Sequence, residues 1–213
     1  MKLKVTNIAL FIIGLNILAM GTVLFSVGDL GFSALVSVPQ AGSVILNITL
    51  GQATTLFFAI LIIVELILIR KLKLQIILQI VLSFVFGFIV DFYGIDIGLK
   101  SIHLVSFISQ LGFTLLAIVL TALGIFTMVK ADLILIPPDG LVRTISDKFN
   151  RKFGMVKLGF DFSNIILTLF IGFLFIGHIE GIGIGTILAV LLVGHLINLL
   201  DYLLNKLKKG HTL

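Results

Sequence analysis

Residues 124–140 read GIFTMVKADLILIPPDG. The stretch brings a long apolar run to its end, breaks at Pro137-Pro138-Asp139-Gly140 and opens a basic amphipathic segment. The pattern occurs once before. Gly21-Thr-Val-Leu-Phe-Ser-Val-Gly-Asp29-Leu30 aligns without gaps on Gly124-Ile-Phe-Thr-Met-Val-Lys-Ala-Asp132-Leu133, 103 positions later. At the same offset Gly51 falls on Gly154. The chain therefore reads as a tandem duplication.

Composition sets the class. Of 213 residues, 59% are apolar and 12% charged, against about 25% charged in an ordinary soluble domain. Such a chain belongs in a bilayer. With no Cys there is no disulfide, no thiolate metal site and no cysteine nucleophile. The net charge of +5 invites a nucleic-acid reading, but nearly all of it lies at helix ends, so no nucleic-acid partner is expected. The first apolar run, Val5 to Val27, is too long for the core of a signal peptide and reads as a retained span.

A span needs about 20 apolar residues. Six are expected, over 5–27, 50–69, 74–92, 104–129, 155–177 and 182–204. Fourteen of the 15 Lys and Arg residues then fall on one side of the membrane, with only Lys100 on the other. The outer loops instead collect Asp29, Asp91, Asp96 and Glu180. The basic side is the cytoplasmic one by the positive-inside rule. That places both termini inside, with a bacterial plasma membrane as the setting.

Three spans per copy is an odd number, so the second copy enters the membrane from the opposite side. The expected fold is all-α, two inverted-topology three-helix repeats over 1–103 and 104–213. Gly87-Phe-Ile-Val-Asp91 and Gly194-His-Leu-Ile-Asn198 echo each other in the third spans. Each first span is followed by an intermediate segment. Residues 31–48 are apolar and uncharged but too short for a span, which suits a short or re-entrant helix. Residues 138–153 place Leu141, Ile145 and Phe149 along one stripe, with Arg143, Asp147, Lys148 and Arg151 around it. That is an amphipathic helix for the cytoplasmic headgroups.

Gly21, Asp29-Leu30-Gly31-Phe32-Ser33, Pro138-Asp139-Gly140-Leu141, Gly181-Ile-Gly183-Ile-Gly185-Thr186 and Gly194 together resemble the YczE/YyaS/YitT family of bacterial integral membrane proteins. The resemblance runs along nearly the whole chain. It implies a plasma-membrane protein of five or six spans with a transport-like role and no settled substrate. Where members of that family often carry a Gly-x-Gly-Pro-Trp-Asp-like stretch, this chain has Asp29-Leu-Gly31-Phe-Ser-Ala34 and no Trp at all.

Polar residues inside spans are the candidate site. Lys157 and Asp161 stand one turn apart and can pair as a structural ion pair or a gate. Asn164 and Thr168 continue their stripe, which should point away from lipid. His195 and Asn198 share a face of the last span, with Asp201 near its basic end, where it can meet Lys206 or the amphipathic helix. Asn16 is mid-span in the first helix, and Glu65 reads as a helix-end partner of Arg70. Asn16, Asp161, Asn164, His195 and Asn198 are the expected cavity lining. Gly21, Gly124, Gly140, Gly181, Gly183, Gly185 and Gly194 are the expected hinges or close contacts. Gly181–Gly185 lacks the following Lys of a phosphate loop, so nucleotide binding is not expected. No metal, no cofactor and no hydrolytic constellation is expected either. A leading functional reading and alternatives to it follow. The leading one is small-solute transport by alternating access. The alternatives are a membrane subunit that captures substrate for an ATP-driven complex, or a scaffold. Bilayer lipid, an unidentified small molecule, and a homodimer mate or partner subunit are the expected partners.

Overall fold

The computed structural model describes residues 5–178 and 180–210, the last four as backbone only. Lys2, Lys4 and His211 lie outside the described residues. Among the described residues eight α-helices follow in order: α1 Val5–Gly28, α2 Ser37–Leu46, α3 Leu50–Ile69, α4 Leu74–Asp91, α5 Phe107–Ala131, α6 Pro137–Phe149, α7 Phe153–Ile171 and α8 Ile184–Gly210. Short π-helical turns extend α4 over Phe92–Asp96 and α7 over Gly172–Ile176. Six helices are long and apolar enough to cross a membrane: Val5–Gly28, Leu50–Ile69, Leu74–Asp96, Phe107–Ala131, Phe153–Ile176 and Ile184–Lys206. The two short helices, α2 and α6, sit at the two intermediate segments.

The centre is an antiparallel pair, α1 against α5, which forms the most extensive helix contact. Its cause is a ladder of small residues. Gly14, Gly21 and Gly28 recur every seven residues on α1. A Cβ on Gly14 would strike Met128 and the Gly124 carbonyl; one on Gly21 would strike Thr121 and Ala117; one on Gly28 would strike Thr114. Gly124 in turn receives Leu18. Lipid tails are as apolar as leucine, so close backbone approach of this kind is what holds helices together in a bilayer.

The other helices hang on that pair. α4 packs on α1, and α8 packs on α5. α3 and α4 form a tight hairpin, with Gly51 and Gly87 bringing the two backbones together. Phe58 and Phe86 stack in it at 5.6 Å, and Thr55 Oγ1 donates across it to the Ser83 carbonyl at 3.2 Å. Asp91 closes the far end, accepting from the Gly51 N–H at 2.9 Å and from the Thr49 hydroxyl. Thr49 and Gln52 also form a reciprocal capping box at the start of α3. α7 and α8 make no such hairpin: among the described residues no extensive interface joins them, and Gly154 and Gly194 face open space.

Positive φ marks where helices stop. Asp29, Asn47, Asp132 and Asn150 take φ between 48° and 52° at the ends of α1, α2, α5 and α6. Asx side chains tolerate this left-handed geometry best after glycine. This explains one correction. The amphipathic helix, expected over 138–153, ends at Phe149 because Asn150 turns left-handed. Its buried face differs too. Pro138, Gly140, Leu141, Val142 and Ser146 are buried, whereas Phe149 is exposed. α6 rests on α3 and α7 rather than only on headgroups.

Gly21→Leu or Gly124→Leu should lower the stability of the detergent-purified protein by about 1–3 kcal/mol, as overpacking does. Gly194→Leu should leave it unchanged, because nothing lies within 4 Å of its Cβ position. Thermal unfolding of the three variants checks this.

Candidate functional site

Charge gathers where the Pro137-Pro138-Asp139-Gly140 turn starts α6. Lys157 of α7 lies 3.1 Å from Asp139 Oδ1 and 3.1 Å from Asp161 Oδ1. All three side chains are largely buried, at 27%, 15% and 24% exposure. One lysine thus serves two carboxylates. The i,i+4 spacing of Lys157 and Asp161 made their pairing legible. Asp139 was not, because it reaches Lys157 from another helix. Asp139 also sits in the first turn of α6, where the helix dipole favours a carboxylate.

One residue further on, α6 meets the α3–α4 hairpin. Gly140 lies directly over the Gln79 amide and Glu65 Oε2. The Thr144 hydroxyl donates to Glu65 Oε1 at 2.9 Å. Glu65 is buried, and the expected pairing with Arg70 does not form. Arg70 instead ends α3 with φ 55°, while α6 covers Glu65. Between α3, α4 and α6 lies a polar cavity of about 110 Å³, with Lys73, Gln75, Arg143 and Asp147 at its rim. That volume holds several waters or one small ion.

The stripe on α7 faces inward. Asn164 and Thr168 are buried, and with Gly172 they are the only fully buried positions along α7 and its π turn. Thr168 Oγ1 lies 3.0 Å from Ser37 Oγ of α2, and the Asn164 Nδ2 has no hydrogen-bond partner. α7 is held almost entirely by the two short helices: α2 at Ser37–Thr168 and α6 at Asp139–Lys157.

The remaining expected residues do not converge on this stripe in the present conformation. His195 and Asn198 are exposed on α8, with His195 Nδ1 at 2.6 Å from its own Leu191 carbonyl. Asn16 donates to the Ile12 carbonyl of its own helix at 2.9 Å. Asp201 pairs with Lys130 of α5 rather than with α6. Gly181, Gly183 and Gly185 serve backbone contact: the Phe32 N–H donates to the Gly181 carbonyl at 2.8 Å, and the Gly185 N–H donates to the Leu30 carbonyl at 2.6 Å. A Cβ on Gly183 or Gly185 would strike Leu30. Among the described residues, no group of three or more His, Cys, Asp or Glu side chains could hold a metal ion.

Helices of this length and apolarity define an integral membrane protein of the multi-pass α-helical class. Within that class, the chain belongs to a family of unknown function, DUF6198, whose model matches residues 5–202. No curated protein and no solved structure matches it.

Lys157→Ala leaves Asp139 and Asp161 facing each other without a cation. The expected loss is roughly 2–3 kcal/mol, somewhat under that of a fully buried pair. Adding Asp139→Asn and Asp161→Asn should recover most of it. Thermal melts of the single and triple variants test the assignment.

Proposed function

We propose that the protein moves a small solute across a bacterial plasma membrane by alternating access between two inverted repeats. The observation that carries this reading is the recurrence of irregular features at one offset. The left-handed residues Asp29 and Asn47 recur 103 positions later as Asp132 and Asn150. α3 begins at Leu50 and α7 at Phe153; α1 ends at Gly28 and α5 at Ala131. Helix ends of this kind are set by individual residues, so their shared spacing speaks for descent from one unit.

The contacts support an internal two-fold. Gly14 meets Gly124 while Gly21 meets Ala117. Since 124 is the equivalent of 21, and 117 of 14, each contact is the other's image. The short helices behave alike: α6 clasps α3 at Thr144–Glu65, and α2 clasps α7 at Ser37–Thr168, with Thr168 the equivalent of Glu65. Inverted repeats are the build of many secondary transporters, whose two halves exchange conformations. The placement of Lys and Arg puts the amphipathic helix and both termini in the cytoplasm.

The departure from symmetry supplies the mechanism. α3 and α4 are zipped at Gly51–Gly87 and latched by Asp91. Their equivalents α7 and α8 stand apart at Gly154 and Gly194. In this reading the molecule is closed on the outer side and open on the inner one. The exchange zips α7 onto α8, and Asn198 then takes the part that Asp91 plays at the Gly51 N–H. That movement carries His195 and Asn198 toward Asp161 and Asn164, while Asn16 lines the central helix beside them. The glycine motifs that resemble those of the YczE/YyaS/YitT family fit the same class of activity. No ATP-binding motif accompanies these helices, so the energy comes from an ion gradient or a separate subunit.

A metabolite screen by thermal shift on purified protein should yield a stabilising solute, and Asp161→Asn or Asn198→Ala should remove its effect. Stabilisation that survives both changes would place the site elsewhere. Because the chain has no Cys, Gly154→Cys with Gly194→Cys makes a clean pair. A disulfide should form in vesicles turning over the solute and trap transport. Free transport with no cross-link would contradict the zipping of α7 onto α8.

A further inference from the structure

Two buried oxygens beside the cavity between α3, α4 and α6 make no well-formed hydrogen bond. Glu65 is only 5% exposed; the Gln79 amide lies next to its carboxylate, yet Oε2 makes no hydrogen bond of good geometry and no ion pair. Gln79 is 3% exposed, and its Oε1 likewise has no donor. Both side chains line the same 110 Å³ space. A buried carboxylate without a cation is among the costliest groups a protein can hold. The nearby cations do not settle it. Arg143 is taken by Asp147 at 3.3 Å, and Lys73 lines the cavity without reaching within ion-pair distance of a carboxylate.

We infer that Glu65 and Gln79 hold a small monovalent metal cation, for which Na⁺ is the test ion. The donor set decides the type. Carboxylate and amide oxygens are hard ligands, which select alkali and alkaline-earth ions over soft metals. One carboxylate balances one positive charge, whereas divalent sites recruit several. The cavity leaves room for water to complete the shell. The Thr144 hydroxyl donates to Glu65 Oε1, which fixes the carboxylate and leaves Oε2 as its unbonded oxygen, packed beside Gly140. Gly140 lies so close to the Gln79 amide that any side chain there would push it away. The site stands on its own geometry and does not depend on a carried solute.

The test uses the full chain in detergent, in choline chloride replaced stepwise by NaCl at constant ionic strength and pH. Saturable ²²Na⁺ binding and a matching rise in melting temperature are expected. Glu65→Gln should abolish both, and in Na⁺-free buffer it should melt no lower than the unaltered protein, because it removes the uncompensated charge. Gln79→Leu should weaken Na⁺ binding roughly ten- to a hundredfold, and it carries the test if Glu65→Gln does not fold. Absence of saturable ²²Na⁺ binding overturns the inference, as does binding unchanged in Glu65→Gln or in Gln79→Leu. A melting temperature that follows pH but not Na⁺ replaces the metal with a proton and overturns it equally. None of these outcomes bears on solute transport, which the metabolite screen decides separately.

Discussion

A bilayer offers helices no hydrophobic reason to associate, so contact has to come from backbones that fit. Gly14, Gly21 and Gly28 on one side, with Thr114, Ala117, Thr121 and Gly124 on the other, provide that fit between α1 and α5. Thr114 serves at little polar cost, since its hydroxyl bonds back to its own helix, at the Gln110 carbonyl. Everything else is arranged about this seam. α4 and α8 lean on its two members, and α3 and α7 are reached through their neighbours and the short helices.

The two short helices show how one structural task is met by different chemistry. α2 is uncharged and grips α7 through neutral hydroxyls, Ser37 against Thr168. α6 carries charge and grips α7 through Asp139 against Lys157. Both tie α7 into the molecule, because among the described residues α7 makes no extensive interface with α5 or α8. α6 carries Arg143 and Lys148 and is followed by Arg151 and Lys152, whereas residues 31–48 hold no charged side chain at all.

Much of this architecture was legible from residues alone. Spans declare themselves by length and apolarity, and the observed helices lie within a few residues of the expected spans. The inward stripe Asn164–Thr168 follows from helical spacing, which is a local property. What stayed hidden depends on partners distant in sequence. Glu65 looked like a helix-end charge because Arg70 is near in the chain, yet its hydrogen bond comes from Thr144, 79 residues away. Asp139 reads in sequence only as part of the Pro137–Gly140 break, yet it is the second partner of Lys157. The buried face of α6 was misjudged because Val142 and Ser146 are covered by neighbours that periodicity does not name. The positions of His195 and Asn198 on one face of α8 were readable; their distance from α7 is a matter of helix placement, which no spacing encodes.

The start of α8 is fastened by main-chain bonds from the Phe32 N–H to Gly181 and from the Gly185 N–H to Leu30, while no residue from Val190 to Lys206 is buried. Such a helix behaves as a lever with its fulcrum at one membrane surface. Along a span of 23 residues, about 35 Å at the usual helical rise, a tilt of about 10° sweeps the free tip by about 6 Å. The clasp between Lys130 and Asp201 sits near that tip. A modest force applied there works with the greatest mechanical advantage, and the glycines at the pivot need barely turn.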